Sequence, residues 1–516
     1  MVKGHSIDSG RALKSAWVVA VLTAVVLAAM PLPGQAASAT DPFTIVLVPD
    51  SQGYFEWYDV GGQLYLDRGV GQFQWIANNI ASRNITFVTQ VGDSVQNFNT
   101  GGHSSSEWSA SASATNLLHV GSNPANAALV PYSLTIGNHN YDSKKWMNAS
   151  DVPVAIRGPD NIVVNSSKWR STFGPSRFAG QSWFGGSDNG FVYHDPTWGN
   201  ITGVGLSTYQ IFQAGGQTYL HLNLELGAPD QTLAWARSIM AANPGVPTMV
   251  STHSLLSGVN FQTLEGNWRR YVDMTWTVQG NSGQEIWDQF LSDYDQIVMV
   301  MCGHTGGQAT SIMQNDHGQN VIMALFDTTG KQMPTDANRN GVGWLRMFTI
   351  NPVTGDTYVQ TYSPFLDVWA DNAGNDGVKG NGTALSTVYL RDCYDTDGQA
   401  LLYPQSLSNF VIKSNGTILP AEPGDFDLDG DVDGNDFLIW QNGYGTASGA
   451  TVWKGDTDHD GDVDGNDFLA WQNNYGSSVL IGLGDASFAT VPEPGTLALL
   501  AAGGAAVAYL RRRRAA

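Results

Sequence analysis

The sequence predicts an α/β domain built from two sheets and flanked by helices, followed by a small all-α module. Short apolar runs typical of buried strands alternate with runs of helical periodicity over the first two thirds of the chain. Five of these strand-like runs end on a polar side chain next to or near glycine. An acidic repeat then begins at Asp425 and again at Asp456. These observations indicate one large catalytic or binding domain and one separate module.

Composition restricts the classes of partner. The chain has 516 residues, of which 42% are hydrophobic, and its formal net charge is -21. A strongly acidic protein does not capture nucleic acid electrostatically, so a nucleic-acid partner held in that way is excluded. With only two cysteines, the chain is not a disulfide scaffold. Cys302 lies in an apolar run and is expected to be a buried free thiol.

The order of patterns predicts the elements of the large domain. We expect helices around residues 70–80, Gln231–Ala242 and Glu285–Tyr294. Residues 141–206 are expected to be irregular, as a cap or long loops, and residues 367–420 an extension or linker of uncertain structure. The last three expected strands would complete a second sheet. Strands are expected at Phe43–Val48, Ile85–Val91, Tyr132–Ile136, Tyr209–Ala214, Gln217–Leu226, Val246–Thr252, Ile297–Cys302, Val321–Phe326, Trp344–Ile350 and Thr357–Tyr362.

The polar groups at the strand ends suggest a metal site. They are carboxylate, amide and imidazole groups, a mixture of N and O ligands that suits one or two ions of Mn, Fe or Zn. In open α/β sheets, ligands bind beyond the carboxyl ends of the strands. A single Asp or His in a turn is ordinary, but five in succession are not. The groups are Asp50, Asp93, Asn138, His253 and His304.

In this order the segments resemble the calcineurin-like metallophosphoesterases, over residues 40–366. That family has Asp-x-His, Gly-Asp, Gly-Asn-His-Asp/Glu, a lone His, and Gly-His-x-His. The corresponding segments here are Asp50-Ser-Gln52, Gly92-Asp93, Gly137-Asn138-His139-Asn140, His253 and Gly303-His304-Thr-Gly306. The resemblance implies a two-sheet metallophosphoesterase-type sandwich.

The resemblance also implies roles for these residues. Asp93 would bridge two ions, and one ion's shell would be completed by Asn138, His253 and His304. Asp50 would bind the other ion together with Gln52. Gln52 and Gly306 stand where the family has histidines, so the second site is expected to be looser. It would hold Mg or Mn with extra waters, or be empty without substrate.

Catalytic roles follow from the same resemblance. His139 corresponds to the residue that donates a proton to the leaving group, and Asp93 to the bridging ligand. The family's acidic residue that orients this histidine is replaced by Asn140, and Asp142 is the nearest carboxylate that could substitute. The implied reaction is hydrolysis of phosphate mono- or diesters by metal-activated hydroxide. A scaffold or binding protein that has lost catalysis, linked to polysaccharide degradation, is the alternative.

The acidic repeat has the spacing of a calcium loop, with glycine at position 6. Its fixed glycine and following helix pattern argue against a disordered acidic tail. Residues 421–476 resemble a type I dockerin, which implies two Ca²⁺ ions and a cohesin-type partner. The expected ligands are Asp425, Asp427, Asp429, Asp431, Asp433 and Asp436 in the first copy, and Asp456, Asp458, Asp460, Asp462, Asp464 and Asp467 in the second.

Both ends of the chain carry targeting patterns. Basic residues, an apolar stretch and a small-residue site near Ala39 predict a secretory signal peptide over residues 1–39. After a linker at 477–490, residues 491–516 resemble a PEP-CTERM sorting signal, with Pro-Glu-Pro, an apolar helix at Leu497–Leu510 and four arginines. This implies transient inner-membrane anchoring, cleavage by an exosortase-type enzyme, and export to the cell envelope or medium; a permanent tail anchor is the alternative.

Overall fold

The computed structural model describes most of the predicted domain and module. It describes residues 38–55, 62–96, 104–140, 167–188, 192–195, 199–202, 205–256, 281–304, 307–327, 343–365, 367–370 and 408–479. Residues 1–37 of the predicted signal peptide, most of the predicted linkers at 367–420 and 477–490, and the sorting segment lie outside these residues, as do Asp142 and Gly306.

Seventeen strands are defined within the described residues. They are β1 (Phe43–Val48), β2 (Ile85–Gln90), β3 (Tyr132–Leu134), β4 (Phe184–Ser187), β5 (Val192–Asp195), β6 (Gly199–Thr202), β7 (Thr208–Ala214), β8 (Gln217–Asn223), β9 (Thr248–Ser251), β10 (Ile297–Cys302), β11 (Gly307–Gln314), β12 (Asn320–Asp327), β13 (Leu345–Ile350), β14 (Thr357–Ser363), β15 (Val368–Trp369), β16 (Phe410–Ile412) and β17 (Ile418–Pro420).

The helices lie between the strands and in the C-terminal module. They are α1 (Gly62–Asn79), α2 (Ser104–Asn116), α3 (Ser167–Phe173), α4 (Asp230–Ala242), α5 (Gly283–Ile286), α6 (Gly434–Gly443) and α7 (Gly465–Asn474). Helix α5 begins at a capping box between Ser282 and Glu285 and continues as a π-helical turn to Leu291. Among the described residues, no helix combines the length and apolar character needed to cross a membrane.

The strands form two large sheets. The first has the order β17-β16-β14-β13-β1-β2-β3, with β15 paired to β14, and its strands β1, β2 and β3 are parallel. The second has the order β11-β12-β10-β9-β8-β7-β4, in which β8, β9, β10 and β12 are parallel. Strands β5 and β6 form a separate two-stranded ribbon. The predicted α/β class with two sheets and helices is confirmed.

Alternation of side chains along the strands builds the layers. In β1, Phe43, Ile45 and Leu47 pack between the two sheets, against residues such as Met299 of β10. The intervening side chain of Val46 faces a second apolar cluster on the helical side of the first sheet. A third cluster lies between the second sheet and α4 and α5. The domain is therefore a four-layer sandwich with the sheets inside.

Two predictions about the elements are wrong in detail. The strands predicted at Trp344–Ile350 and Thr357–Tyr362 belong to the first sheet, because β13 pairs with β1. A buried strand has the same apolar pattern in either sheet, so the pattern did not distinguish them. The region 141–206, expected to be irregular, contains α3, the β5–β6 ribbon and β4, which pairs with β7. Cys302 is a buried free thiol, as predicted.

The C-terminal module packs directly on the first sheet. Strands β16 and β17, in the stretch whose structure was uncertain, extend that sheet beyond β14. An apolar cluster joins Tyr358 and Val411 of the sheet to Phe426, Leu428 and Val452 of the module. Helices α6 and α7 each follow one acidic loop and contact each other through aromatic rings.

Candidate metal centre

The parallel strands carry five of the predicted site residues to one region. Asp50, Asp93 and Asn138 follow β1, β2 and β3 of the first sheet, while His253 and His304 follow β9 and β10 of the second. Carboxyl ends of parallel strands meet at one edge of a sheet, and the two sheets face each other here. Sequence positions far apart therefore supply neighbouring side chains.

Four ligand atoms converge at this edge. His253 Nε2 lies 2.8 Å from Asn138 Oδ1, 3.2 Å from His304 Nδ1 and 3.4 Å from Asp93 Oδ2. His304 Nδ1 lies 2.9 Å from Asn138 Oδ1. Ligands about 2.1 Å from a common ion are roughly 3.0 Å apart at a right angle and roughly 3.4 Å apart at the tetrahedral angle. The four atoms have the mutual spacing of one coordination shell.

The hydrogen bonding of His253 indicates that a cation would fit beside its Nε2 atom. Its Nδ1 lies 2.8 Å from the backbone carbonyl of Val91, which can only accept, so Nδ1 carries the ring proton in the neutral form. Nε2 then presents a lone pair toward the acceptor oxygen of Asn138 and the carboxylate of Asp93. A backbone carbonyl that fixes the tautomer in this way is typical of metal-ligating histidines. The donor set fits a transition metal.

Burial and charge act in opposite directions on these groups. Burial alone would raise the pKa of Asp93, but the nearby His253, His139 and His304 outweigh it and lower that pKa to about 2. Burial, with the charge of His253, lowers the pKa of His304 to about 3. Burial likewise opposes protonation of His253, yet Asp93 raises its pKa overall. At neutral pH an ionised Asp93 therefore lies beside a neutral His304.

The backbone at the ends of β2 and β10 is held in an uncommon conformation. Asp93 and His304 both have positive φ, 47° and 69°, which few residues other than glycine adopt. Gly92 has φ 119°, and a side chain there would collide with the ring of His253. A side chain at Gly303 would collide with Asp50 Oδ1. The two glycines are therefore required for the close approach of these ligands, and such strain is typical of functional sites.

Asp50 and Gln52 follow β1, which is paired with β2, the strand that precedes Asp93. Asp50 Oδ2 accepts the backbone N–H of His304 at 3.0 Å, while Oδ1 is buried without a hydrogen-bond partner. Gln52, in a short 3₁₀ turn after β1, also has a buried side-chain oxygen without a hydrogen-bond partner. Burial, followed by the charges of Asp327 and Asp93, raises the pKa of Asp50 well above its usual range. Two buried acceptors of this segment thus have no hydrogen-bond donor among the described residues.

His139 directly follows Asn138 in the short turn after β3. Its backbone N–H donates to Asp93 Oδ1 at 2.8 Å, and its ring Nδ1 lies 2.9 Å from the carbonyl of Gln96. Asn140, at the family's acidic position, instead accepts the backbone N–H groups of Gly137 and Ser94 through its side-chain oxygen. The structure thus gives His139 an orienting carbonyl that the sequence did not predict.

One further residue was missed by the sequence analysis. Asp327 ends β12, is 4% exposed, and lies near enough to influence the pKa values of Asp50 and His253. The signal was present, because Val321–Phe326 is an apolar run that ends on this carboxylate, like the five runs that were used. The family pattern has no ligand at this position, and it therefore gave no reason to select it.

The acidic loops of the module form separate clusters. In the first loop, Asp436 accepts backbone N–H groups from Phe426 at 2.6 Å and Asp433 at 2.8 Å. The second loop repeats this arrangement around Asp467. Three oxygens lie within 4.8 Å of one another in each of four groups. These groups are Asp425, Asp427 and Asp436; Asp431, Asp433 and Asp436; Asp456, Asp458 and Asp460; and Asp462, Asp464 and Asp467.

Comparison with known sequences gives one motif and one relative. The PEP-CTERM protein-sorting motif matches residues 490–514, so the predicted sorting motif is confirmed. The uncharacterized protein YvnB of Bacillus subtilis (strain 168) is 22% identical over 331 residues, which is 64% of this chain and 20% of YvnB. The chain thus spans about a fifth of the length of the curated relative that it matches.

Solved structures similar to this chain include phosphatases. Purple acid phosphatase PPD1 from yellow lupin (Lupinus luteus) has a TM-score of 0.35 and 12% identity, covering 65% of this chain and 53% of that one. A dimetal phosphatase from Danio rerio has a TM-score of 0.33 and 8% identity, covering 63% and 97%. A 5'-nucleotidase from Staphylococcus aureus has a TM-score of 0.31 and 12% sequence identity, and the match covers 70% of this chain and 57% of that one.

Proposed function

We propose that this protein is an exported, metal-dependent phosphoesterase that hydrolyses phosphate mono- or diesters. The observation that carries the proposal is the convergence of imidazole, amide and carboxylate atoms from four strand ends, 2.8–3.4 Å apart, with the only proton of neutral His253 directed away from them. Asn138, His253, His304 and Asp93 would hold one divalent transition metal ion, and Asp50 and Gln52 would contribute to a second.

A bound pair of ions would supply an activated hydroxide and neutralise charge on the phosphoryl oxygens. The residues of the chain then have distinct tasks. Asp93 is ionised at neutral pH. Its two oxygens would link the ligands of the first ion to those of the second. His253 is held by the Val91 carbonyl so that Nε2 keeps a fixed direction. Gly92 and Gly303 let the two sheets approach closely enough for this geometry.

His139 would act as the general acid. The Gln96 carbonyl fixes the proton on its Nδ1, so a second proton on Nε2 makes the ring cationic and able to donate to the leaving-group oxygen. Its backbone N–H binds Asp93, which keeps the ring next to the site. The imidazole is partly exposed, consistent with access for a substrate.

The proposal includes a calcium-binding, dockerin-like module. The clusters of carboxylate oxygens support two Ca²⁺ sites, because Ca²⁺ takes six to eight oxygen ligands. Equivalent positions of the two copies expose large apolar side chains, Leu438 with Leu469 and Tyr444 with Tyr475. Such a duplicated apolar surface suits a cohesin-type protein partner. The sorting motif supports export to the cell envelope and processing by an exosortase-type enzyme.

Metal analysis combined with an activity panel tests the catalytic proposal. Purified protein should retain at least one transition metal ion per chain and hydrolyse aryl phosphate mono- or diesters with added Mn²⁺, Fe²⁺ or Zn²⁺. His253→Ala should reduce both metal retention and rate by more than about 100-fold, since it removes a ligand. The exposed His317, at the β11–β12 turn, gives a matched control in His317→Ala. A wild-type protein without metal and without activity would favour the scaffold alternative.

A further inference from the structure

The two acidic loops meet the first sheet through the same backbone group. The fourth residue of each loop, Leu428 in the first copy and His459 in the second, has positive φ, 56° and 65°. Lys413, which directly follows β16, donates from Nζ to the Leu428 carbonyl at 3.1 Å. Arg83, in the turn before β2, donates from Nη2 to the His459 carbonyl at 2.6 Å. Both copies are thus held at equivalent positions by a basic side chain beside a strand of the first sheet.

The side chains of the same two loop residues pack on the sheet. Leu428 is fully buried and belongs to the apolar cluster that contains Tyr358 and Val411. The ring of His459 lies 5.0 Å from that of Trp369, measured between ring centroids, and its Nε2 lies 3.3 Å from the Tyr358 hydroxyl. Tyr358 of β14 therefore takes part in the packing of both loops.

Both basic side chains are positioned by other residues of the large domain. Lys413 Nζ also forms an ion pair with Asp356, at 2.7 Å. The guanidinium carbon of Arg83 lies 4.6 Å from the ring centroid of Trp369 and 5.6 Å from that of Trp75. Side chains that are already positioned lose little conformational freedom when they bind. The two donors are therefore suited to recognise one particular conformation of each loop.

A calcium ion would stabilise the same loop conformation. Position 4 supplies no ligand in this loop spacing, so its carbonyl can bind the sheet while neighbouring carboxylates bind the ion. Asp456, at position 1 of the second loop, accepts the backbone N–H groups of His459 at 2.7 Å and Gly461 at 3.1 Å. In the first loop Asp425 likewise accepts the N–H of Gly430, at 3.0 Å. An ion held at position 1 would therefore fix the turn that presents the docking carbonyl.

We propose that calcium binding by the module and its docking on the first sheet stabilise each other, with Lys413 and Arg83 as the docking residues. This rests on the calcium sites of the proposed function. Because coupling between two equilibria is reciprocal, docking strengthens calcium binding by the factor by which calcium strengthens docking. The loops are then committed to the sheet, and the duplicated apolar surface of the module stays exposed for a protein partner.

Calcium titration of full-chain variants tests the coupling, because charge and docking predict opposite signs. Removal of a cation beside an acidic loop should, by charge alone, strengthen Ca²⁺ binding. The proposal predicts that Arg83→Gln weakens the second loop and Lys413→Gln the first, each by about fivefold or more in isothermal titration. Lys454→Gln removes an exposed charge of the module and, as the matched control, should bind Ca²⁺ as tightly as wild type or more tightly. Unchanged or tighter binding in both docking variants overturns the proposal.

Amide hydrogen exchange gives a second readout, on the sheet itself. In wild type, Ca²⁺ should slow exchange by about fivefold or more in β16, β17 and the turn before β2, which contain no proposed calcium ligand, as well as in the loops. In the double variant Arg83→Gln with Lys413→Gln, the slowing should be confined to the loops. Slowing confined to the loops in wild type overturns the coupling but leaves the proposed calcium sites; a wild type that binds no Ca²⁺ overturns both.

Discussion

The proposed metal centre at the strand ends and the proposed calcium loops would be two cation sites built in opposite ways. The centre takes its ligands from Asp50 to His304, across two sheets, and every ligand depends on the packing of the sandwich. Each loop takes its ligands from twelve consecutive residues that begin at Asp425 or Asp456. The centre therefore forms only when the whole domain folds, whereas a loop can be assembled locally by its cation.

The two sites also differ in how their charge is balanced. At the centre, histidines offset burial and lower the pKa of Asp93 to about 2. In the loops, burial and neighbouring carboxylates act together, and the pKa of Asp425 rises to about 8 and that of Asp456 to about 7. The loop clusters found among the described residues consist of carboxylates, and Arg83 only partly offsets the raised pKa of Asp456 in the second loop. The loops consequently depend on an added cation more strongly than the centre does.

The largest expected effect comes from replacing one proposed ligand, either at the metal centre or in a calcium loop, and it distinguishes the two sites. Asp93→Ala should lower ester hydrolysis by more than about 1,000-fold, because it removes the carboxylate shared by both ions. It should leave the calcium-induced rise in melting temperature unchanged. Asp425→Ala should reduce the calcium-induced rise in melting temperature and leave ester hydrolysis unchanged. Steady-state kinetics and calorimetry with and without Ca²⁺ measure both. If Asp425→Ala also abolished hydrolysis at saturating Mn²⁺, the two sites would not be independent.

The sequence predicted the centre better than its surroundings, for a physical reason. Asp93, Asn138 and His253 follow apolar runs, and this pattern is visible in the linear sequence. Which strand lies beside which is set by packing between sheets, so the place of β13 and the neighbourhood of Asp327 could not be derived. The clustering of the loop carboxylates was easier to predict, because they are close together in the sequence. The packing of the C-terminal module on the first sheet is a tertiary contact, and no local sequence pattern predicts it.

A second effect should distinguish proton transfer from metal binding within the centre. His139→Ala should lower kcat by about 100- to 1,000-fold for esters with poor leaving groups and much less for aryl esters with good ones, since only the former need a proton. Metal content should stay at the wild-type level, because His139 is not a ligand. Kinetics with a series of substituted phenyl esters measures the difference. An equal loss for all leaving groups would contradict the acid role.

Calcium removal should make stability depend on pH in one direction. The folded, calcium-free loops bind protons up to about pH 8 through Asp425, whereas unfolded aspartates release them near pH 4. Because the folded state binds more protons in this interval, its stability is highest near pH 4 and falls as pH rises through 8. We expect the melting temperature to drop by at least about 5 °C from pH 5 to 8 without Ca²⁺.

Saturating Ca²⁺ should remove most of this pH dependence, since bound carboxylates stay ionised. A residual part should persist, because burial also raises the pKa of Asp188 to about 7 and that of Glu225 to about 8, far from the loops in sequence. The double variant Asp425→Asn with Asp456→Asn serves as the control and should show a smaller pH dependence without Ca²⁺ than wild type, with a part remaining because the pKa values of Asp427 and Asp458 are also raised, to about 6. An unchanged slope on adding Ca²⁺ to wild type would contradict the proposed calcium sites.

The smallest effect concerns a contact between the second acidic loop and the first sheet, at His459. The His459 carbonyl accepts from Arg83 Nη2 at 2.6 Å, and the ring packs on Trp369 and lies 3.3 Å from the Tyr358 hydroxyl. His459 occupies the position that Leu428 has in the first copy, also with positive φ. His459→Ala should lower the free energy of unfolding by about 1–3 kcal/mol.

Its effect on calcium should be indirect. The second loop is ordered partly by its contact with the sheet, so weakening that contact should lower calcium affinity at this loop by a few fold, while the first loop and ester hydrolysis remain at wild-type levels. Isothermal titration with Ca²⁺ resolves the two loops, and His317→Ala provides a histidine exchange away from the interface. If His459→Ala weakened both loops equally, the module would respond as one unit and the sheet would not order the second loop selectively.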